Sequence, residues 1–256
     1  MKPNKFLGQN FLVSKSIVND IIKAADLKPG DVVLEVGPGK GILTEALLEA
    51  VPRGKVIAVE KDARLVEFLE EKFSSAKNLE IINEDILKSQ ISNLKSQKYK
   101  IVANIPYYIT SHFSRKFLEN PPTGGQPSKM VLMVQKEVGE RIAGCSKKKE
   151  SILSISVKVY GEPKIIKKVP ASYFHPKPKV DSVILLIDNI SKDFFKNIDE
   201  KSFFDLVKRG FSQKRKLLKN NLKMLDTECL IKCGIVEKAR AEELSTDDWK
   251  CLCDLI

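Results

Sequence analysis

The feature that most restricts the fold is an apolar run that leads directly into a glycine-rich turn. Residues 32–36 read Val-Val-Leu-Glu-Val and enter the turn Gly37-Pro38-Gly39-Lys40-Gly41. Apolar residues then recur at helical spacing through residues 42–47, and a second apolar run occupies residues 56–59. This order predicts a strand, a crossover helix and a second strand, which is the repeating unit of parallel sheets.

The alternation continues along the chain. Further apolar strands are predicted at residues 79–82, 101–103 and 130–134, with helical patterns between them. Strands that are apolar on both faces and alternate with helices are typical of an α/β fold with a doubly wound, mostly parallel sheet, similar to a Rossmann fold. Two more strands are predicted at residues 165–169 and 183–187, and their proline-rich connection indicates a hairpin at the sheet edge.

The sequence changes character at about residue 191. From there it is helical and strongly charged, without strand patterns, so we predict a large domain over residues 1–190 and a small helical domain over residues 191–256. Residues 201–223 hold eight Lys or Arg residues and one acidic residue, Asp205, in a chain whose net charge is +11. Such a concentration of positive charge suits contact with phosphate groups.

Composition argues against several other classes of protein. The chain has no apolar run long enough for a signal peptide or a membrane span, so we expect a cytoplasmic protein without a membrane partner. Its five cysteines do not resemble a disulfide framework in a reducing compartment. Four of them, Cys229, Cys233, Cys251 and Cys253, make a poor zinc site because Cys-x-Cys is an unusual half-site. We therefore expect no bound metal.

The glycine-rich turn distinguishes between two classes of cofactor. A dinucleotide fingerprint requires its third glycine where this chain has Ile42, and here an acidic residue, Glu35, comes before the glycines. The form E-x-G-x-G-x-G resembles instead the S-adenosylmethionine site of class I methyltransferases, with Gly37 and Gly39 giving the backbone close access. Glu60 ends the second strand and is placed to bind both ribose hydroxyls. Asp85 follows the third strand and is placed to accept from the adenine amine.

Asn104-Ile105-Pro106-Tyr107 follows the apolar run at residues 101–103 and supplies the groups needed to methylate an exocyclic amine. The amine of adenine is a poor nucleophile because its lone pair is delocalised into the ring. The Asn104 side-chain oxygen and the Ile105 carbonyl can orient that amine, Pro106 fixes the local backbone, and the Tyr107 ring can stack on a base. The alternative is a strand that ends in an X-Pro turn with two buried aromatic rings.

Six ordered segments together resemble the ribosomal RNA adenine dimethyltransferases, most of all the bacterial small-subunit branch linked to kasugamycin sensitivity. They are residues 6–12, 35–39, 104–107, 134–138, 174–182 and 211–216. The resemblance implies a class I methyltransferase with a small C-terminal helical domain. It also implies dimethylation of two adjacent adenosines in the 3′-terminal hairpin loop of 16S rRNA, with S-adenosylmethionine as the cofactor.

The resemblance also implies roles for individual residues. Asn10 and Leu12 are expected to line the methionine end of the cofactor, and Gly37, Glu60, Asp85 and Asn104 to complete its site. From its position next to Asp85, Ile86 is expected against the adenine ring. Phe174 is expected to stack on the target base opposite Tyr107. From the charge pattern, phosphate contacts are expected from basic residues: Lys177, Lys179, Lys208, Arg209, Lys214, Arg215 and Lys216. Lys40 departs from the family, which more often has a small or apolar residue there.

The implied partner is 16S rRNA within a small ribosomal subunit or its precursor, bound by a monomeric enzyme. Two alternatives stay open. One is the 23S rRNA adenine methyltransferases of the macrolide-resistance type, which share the fold and the motif at residues 104–107 but resemble residues 211–220 less. The other is a ribosome-assembly factor that binds RNA without methyl transfer. An NAD-dependent oxidoreductase is disfavoured by the glycine spacing and the basic C-terminal segment.

Overall fold

The computed structural model describes residues 3–4, 8–91, 94, 98–122, 125–144, 149–223 and 227–255. Residues 6 and 7 of the first family segment lie outside these ranges. The chain forms two compact units. The first comprises Met1–Gly139 and Glu162–Ile190, and the second comprises Glu140–Gly161 and Ser191–Ile256.

The division differs from the single boundary that the sequence predicted between residues 190 and 191. Residues 140–161 belong with the C-terminal helices because their contacts are made there. The Tyr160 hydroxyl donates to Glu200 at 2.6 Å, and its ring lies 5.3 Å from that of Phe195. The Glu150 backbone N–H also donates to the Glu242 carbonyl at 2.8 Å. A helical segment between two strands thus contributes to the second unit.

The first unit is built on a seven-stranded sheet in the order β4-β3-β2-β5-β6-β9-β7. Its strands, with the two-stranded pair β1 and β8, are β1 (Phe11–Leu12), β2 (Val32–Val36), β3 (Lys55–Glu60), β4 (Leu79–Asn83), β5 (Tyr99–Asn104), β6 (Lys129–Gln135), β7 (Glu162–Val169), β8 (Phe174–His175) and β9 (Ser182–Asp188). Strands β2 to β6 are parallel, whereas β9 is antiparallel to β6 and to β7. The predicted α/β fold with a mostly parallel sheet is confirmed, and so is the antiparallel edge pair.

Helices follow the strands as the periodicity predicted. They are α1 (Lys15–Ala25), α2 (Ile42–Ala50), α3 (Ala63–Lys72), α4 (Thr110–Leu118) and α5 (Lys136–Ala143). Helix α1 shows how sequence determines packing, since Ser14 caps its N-terminus and Ile17, Val18 and Ile21 share one buried face. That face joins a buried apolar cluster that also contains side chains from β2, β6 and β9.

The second unit is helical. It contains α6 (Ile152–Lys158), α7 (Glu200–Gly210), α8 (Leu218–Asn221), α9 (Thr227–Lys232) and α10 (Thr246–Asp254). Helix α7 buries Phe203 and Phe204, whose rings pack with those of Phe194 and Phe195. Trp249 on α10 is fully buried and stacks on Phe211, with ring centroids 5.9 Å apart. Aromatic packing therefore stabilises a unit too small for a large aliphatic core.

The expectation that no cysteines are paired is corrected by a disulfide between Cys233 and Cys251. Cys233 follows α9 and Cys251 lies on α10, and the packing of this unit brings their Cα atoms within 5.7 Å. Such proximity is a tertiary property that cysteine count and spacing do not reveal. These two sulfurs are thereby unavailable as zinc ligands.

The described residues provide neither a metal cluster nor a membrane-spanning helix. No group of three or more His, Cys, Asp or Glu side chains among them is arranged to hold a metal ion. None of their helices is long and apolar enough to cross a membrane.

Candidate active site

A cavity in the first unit opens where the parallel strands β2 to β5 end. Most predicted site residues line it, together with the segment that leads into β1. The predicted residues at its wall are Asn10, Leu12, Gly37, Gly39, Glu60, Asp85, Ile86, Asn104, Ile105, Pro106 and Tyr107. Their convergence follows from topology, because the carboxyl ends of parallel strands share one edge of the sheet.

The glycine-rich turn forms one wall through its backbone. Gly37 and Gly39 have φ angles of +68° and +60°, in the left-handed region that favours glycine. A Cβ on Gly39 would lie 2.9 Å from the Phe11 ring, so a side chain there would also displace β1. The Lys40 ammonium lies 5.2 Å from the centroid of the same ring, a cation–π contact. The charge that departs from the family is therefore placed against an aromatic ring.

Glu35 is the most unusual group at the cavity wall. It lies on β2, is 1% exposed, and neither carboxylate oxygen has a hydrogen-bond partner among the described residues. Burial raises the pKa of Glu35 to about 8; the Thr44 hydroxyl opposes this rise and the charge of Glu60 adds to it. Buried polar groups are usually hydrogen-bonded, so an acid buried without a partner is an exception that calls for a functional explanation. The sequence offered one signal, the acidic residue at the head of the glycine motif.

Glu60 at the end of β3 is held in a fixed orientation. Its carboxylate accepts from the backbone N–H groups of Lys61 and Asp62, both at 2.9 Å, and from that of Gly39 at 3.3 Å. Burial raises the pKa of Glu60, while these three donors favour the charged form. The carboxylate thus links the glycine turn to β3 and stays exposed to the cavity.

Asp85 and Ile86 form the far wall, in the turn after β4. One Asp85 oxygen accepts from the Leu87 backbone N–H at 3.0 Å and the other from the Lys61 ammonium at 2.9 Å. Burial on its own raises the pKa of Asp85, but the hydrogen bonds from Lys61 and the Leu87 N–H, together with the charges of Lys61 and Lys88, outweigh it, so the pKa is lowered. Ile86 is 6% exposed and gives the wall an apolar surface beside this carboxylate.

Asn104 ends β5, and the segment before β1 orients its amide. The side-chain nitrogen donates to the Asn10 carbonyl at 3.3 Å, which leaves the side-chain oxygen of this cavity-lining residue to accept a hydrogen bond. Ile105 is 1% exposed, and Pro106 precedes a short 3₁₀ helix at Tyr107–Ile109. The Tyr107 hydroxyl is hydrogen-bonded to the Ser182 hydroxyl at 2.6 Å, which fixes its ring at the cavity wall. The X-Pro turn of the structural alternative is therefore present, and its residues also line the cavity.

Several cavity residues were not predicted from the sequence. Gln9 donates to Asp62 at 2.9 Å and so ties the segment before β1 to the N-terminus of α3. Lys61 pairs with Asp85, and Tyr108 is 59% exposed at the cavity wall. Nothing local marked Lys61 or Tyr108, since a loop lysine and a second tyrosine are common residues.

Phe174 is not brought to the cavity, in contrast to the role that the resemblance implies. It pairs with Leu12 in the short antiparallel pair β8 and β1, which turns its ring into the buried cluster beneath α1. The side chain is 3% exposed and does not line the cavity. In this structure the ring packs beside Leu12, and its stacking on a target base stays a prediction.

The predicted phosphate-binding residues are all exposed. Lys177 and Lys179 lie on the first unit between β8 and β9. The second unit carries Lys208 and Arg209 on α7 and the run Lys214-Arg215-Lys216 after it. Lys208 pairs with Asp205 at 3.5 Å. Among the described residues, no acidic side chain forms an ion pair with the run at residues 214–216, so its charge is available to a polyanion.

Comparison with known proteins gives a consistent result. The family described as "Ribosomal RNA adenine dimethylase" matches residues 1–256. The chain is 42% identical over 262 residues to "Ribosomal RNA small subunit methyltransferase A" of Dehalococcoides mccartyi strain 195, with 99% of this chain and 88% of that protein covered. A protein of the same name from Fusobacterium nucleatum is 42% identical over 254 residues, covering 96% of this chain and 94% of that one.

Solved structures show the same fold. The 23S rRNA methyltransferase ErmE aligns with a TM-score of 0.78 and 26% identity, covering 96% of this chain and 98% of that one. A dimethyladenosine transferase from Plasmodium falciparum aligns with a TM-score of 0.76 and 29% identity, covering 94% of this chain and 95% of that one.

The burial of Glu35 leads to a testable expectation for stability. In the ligand-free protein its pKa of about 8 exceeds the ordinary 4.5, so the folded state holds a proton that the unfolded state has released between these two pH values. The free energy of unfolding should therefore fall as pH rises through this window. Each unit of raised pKa corresponds to about 1.4 kcal/mol. The Glu35→Gln variant has no carboxyl group at this position to titrate. Its free energy of unfolding relative to that of the wild type should therefore increase from pH 5 to pH 8 and then level off.

Urea denaturation at several pH values measures this difference. Glu67→Gln, which changes an exposed carboxylate on α3, is the matched control and should give no such pH-dependent gap. A Glu35→Gln advantage that is equal at pH 5 and pH 8 would show that Glu35 titrates normally.

Proposed function

Because the chain belongs to the ribosomal RNA adenine dimethylase family, we propose that it dimethylates two adjacent adenosines in the 3′-terminal hairpin loop of 16S rRNA. We propose S-adenosylmethionine as the methyl donor. The observation that carries the proposal is Asn104, which lines the cavity and whose amide nitrogen donates to the Asn10 carbonyl, so that its side-chain oxygen is left to accept a hydrogen bond. A hydrogen-bond acceptor at this position suits the exocyclic amine of adenine, which is a donor.

The cavity wall fits S-adenosylmethionine group by group. Buried Glu35, whose carboxyl has no hydrogen-bond partner among the described residues, can pair with the cationic ammonium of the methionine end, and Asn10 and Leu12 lie along the same wall. The backbone of Gly37 and Gly39 admits close approach, and Glu60 is held to accept from the ribose hydroxyls. Asp85 and Ile86 suit the adenine amine and ring. When bound, the cofactor supplies an electrophilic methyl group on its sulfonium.

Catalysis by this chain would consist mainly of positioning. The Asn104 oxygen and the Ile105 carbonyl accept hydrogen bonds from the adenine amine and point its lone pair towards the methyl group. Tyr107, held by Ser182, offers its ring to the extruded base. The methylated ammonium is acidic enough to lose its proton to water, so a strong base is not needed. This agrees with a chain that has only two histidines.

The choice of RNA is supported by the relatives rather than by the fold. Two relatives that match nearly the whole chain at 42% identity are named for the small subunit. ErmE, named for 23S rRNA, has the same fold at lower identity, so architecture does not distinguish the two substrates. A non-catalytic assembly factor is disfavoured because Glu60, Asp85 and Asn104 are all present at the cavity wall.

The basic residues are proposed to bind phosphate and to position the RNA, whereas base identity is read in the cavity. On the second unit these are Lys208, Arg209 and residues 214–216, and on the first they are Lys177 and Lys179. We further propose that the enzyme acts as a monomer on a small subunit or its precursor. The cytoplasm, where bacterial ribosomal subunits are assembled, is then its site of action.

The proposed substrate can be tested by mapping the modified bases. The protein is incubated with labelled S-adenosylmethionine and either unmethylated small subunits or unmodified large-subunit RNA. We expect two doubly methylated adenosines in the small-subunit hairpin and background label in the large-subunit RNA. Label confined to large-subunit RNA would support the macrolide-resistance type, and label in neither would support the assembly factor.

The proposed role of Asn104 predicts a selective loss. Asn104→Ala removes the acceptor for the amine but no group proposed to bind phosphate, so methyl transfer should fall roughly 100-fold or more while RNA affinity is retained. Single-turnover rates and filter binding measure the two effects. Asn78→Ala is the control, because Asn78 also donates to backbone carbonyls, those of Leu48 and Val51, but does not line the cavity. Near-normal turnover of Asn104→Ala would remove Asn104 from the mechanism.

The role of the basic run predicts a change in salt dependence. Lys214→Ala with Arg215→Ala should weaken RNA binding and reduce the slope of log affinity against log salt by about 1 for each phosphate that the variant no longer binds. Lys192→Ala with Lys196→Ala removes the same charge, but these lysines pair with Glu200 and Asp193, so the slope should change less. Equal slopes for the wild type and the Lys214/Arg215 variant would show that this run does not bind phosphate.

A further inference from the structure

Lys116 is a half-buried lysine whose charge is directed at backbone carbonyls. It lies on α4, and its ammonium donates to the Leu87 carbonyl at 2.9 Å and to the Ser89 carbonyl at 2.7 Å. Both carbonyls belong to the turn that carries Asp85 and Ile86. No ion pair to Lys116 occurs among the described residues, so its charge-assisted hydrogen bonds serve this turn.

The turn transmits any displacement of these carbonyls to Asp85. The backbone N–H groups of Lys88 and Ser89 donate to the Asp85 carbonyl at 2.8 and 2.9 Å. The Leu87 N–H donates to the Asp85 side chain at 3.0 Å. Asp85 is therefore part of one hydrogen-bonded turn over residues 85–89. Lys116 binds the turn through the carbonyls of Leu87 and Ser89, which do not take part in the hydrogen bonds to Asp85.

Helix α4 joins this turn to the residues that face the adenine amine. It begins at Thr110, whose hydroxyl donates to the Tyr107 carbonyl at 3.0 Å, and the Ile109 N–H donates to the Pro106 carbonyl at 3.1 Å. Phe113 and Phe117 on the same helix are fully buried and hold it in the core. Helix α4 thus follows directly on the motif at residues 104–107 and its 3₁₀ turn, and it carries Lys116 near its other end.

We propose that Lys116 is a positioning residue that fixes the turn over residues 85–89, and with it Asp85, relative to the motif at residues 104–107. The inference rests on the proposed function, since it takes Asp85 as the acceptor for the cofactor's adenine amine. Burial lowers the pKa of Lys116, and Asp85 and Glu84 oppose this change. Burying an ammonium group costs free energy, so a lysine without a structural role would be expected to keep this group in solvent.

The test measures recognition of the adenine amine in the intact protein. Isothermal titration gives the Kd of S-adenosylhomocysteine and of S-inosylhomocysteine, in which an oxygen replaces the exocyclic amine. The wild type should prefer the adenosyl compound, and Asp85→Asn should lose much of this preference. Lys116→Met should raise the Kd of the adenosyl compound about 10-fold and that of the inosyl compound less than about 2-fold. A 10-fold change is what one imperfect hydrogen bond to a charged group should produce.

Two variants separate positioning from general stability. Lys116→Arg keeps a charged donor and should restore most of the preference. Lys100→Met is the matched control, because Lys100 also donates to a backbone carbonyl, that of Asp26 at 2.7 Å, but lies at the other end of β5. It should lower stability without changing the ratio of the two Kd values. If Lys116→Met does not fold, Lys116→Gln, with a shorter reach, takes its place and should show an intermediate loss.

The outcomes distinguish this inference from the proposed function. A wild type that binds neither compound would overturn the proposed cofactor, and the role of Lys116 with it. A wild type that prefers the adenosyl compound, together with a Lys116 variant of unchanged preference, would overturn only the role of Lys116. Hydrogen exchange gives a second readout: the amides of Lys88 and Ser89 should exchange faster in the Lys116 variant and at the wild-type rate in Lys100→Met.

Discussion

The parallel arrangement of β2 to β5 is the constraint on which the site depends. Because their carboxyl ends meet at one edge, Glu60, Asp85 and Asn104 reach one cavity although a strand and its connection separate each from the next. The backbone at these ends has unpaired polar groups, which explains why Glu60 accepts three backbone N–H bonds there. Sheet topology thus provides both the location of the site and the groups that orient its side chains.

The same edge contains a group that weakens the ligand-free fold. A buried carboxyl without a hydrogen-bond partner among the described residues, as at Glu35, costs stability that a neutral side chain of similar shape would not. Proteins break local rules of this kind mainly where a ligand repairs them. The conflict at Glu35 is resolved if a cationic group enters the cavity, and the surrounding sheet is rigid enough to keep the carboxyl in place until then.

The sequence predicted what depends on local pattern. Apolar periodicity located the strands and helices of the sheet, and glycine spacing together with strand-end acids located the cavity wall. It missed what depends on contacts between distant segments. The burial of Phe174 follows from its pairing with Leu12, the placement of residues 140–161 from aromatic packing around Tyr160, and the Cys233–Cys251 bond from helix packing. The role of Lys116 was also missed, because a lysine on an amphipathic helix is expected to lie in solvent unless its carbonyl partners are known.

Asn104 shows how the two walls of the cavity act together. An asparagine amide can present either its oxygen or its nitrogen, and only the oxygen can accept from an adenine amine. Here the Asn10 carbonyl accepts from the nitrogen, so the segment before β1, which we propose lines the methionine end, also sets the orientation of the Asn104 amide. With the opposite orientation, two N–H donors would face each other and the amine would not be held. If Asn104 accepts from the adenine amine as proposed, the orientation of that amine depends on the backbone carbonyl of Asn10.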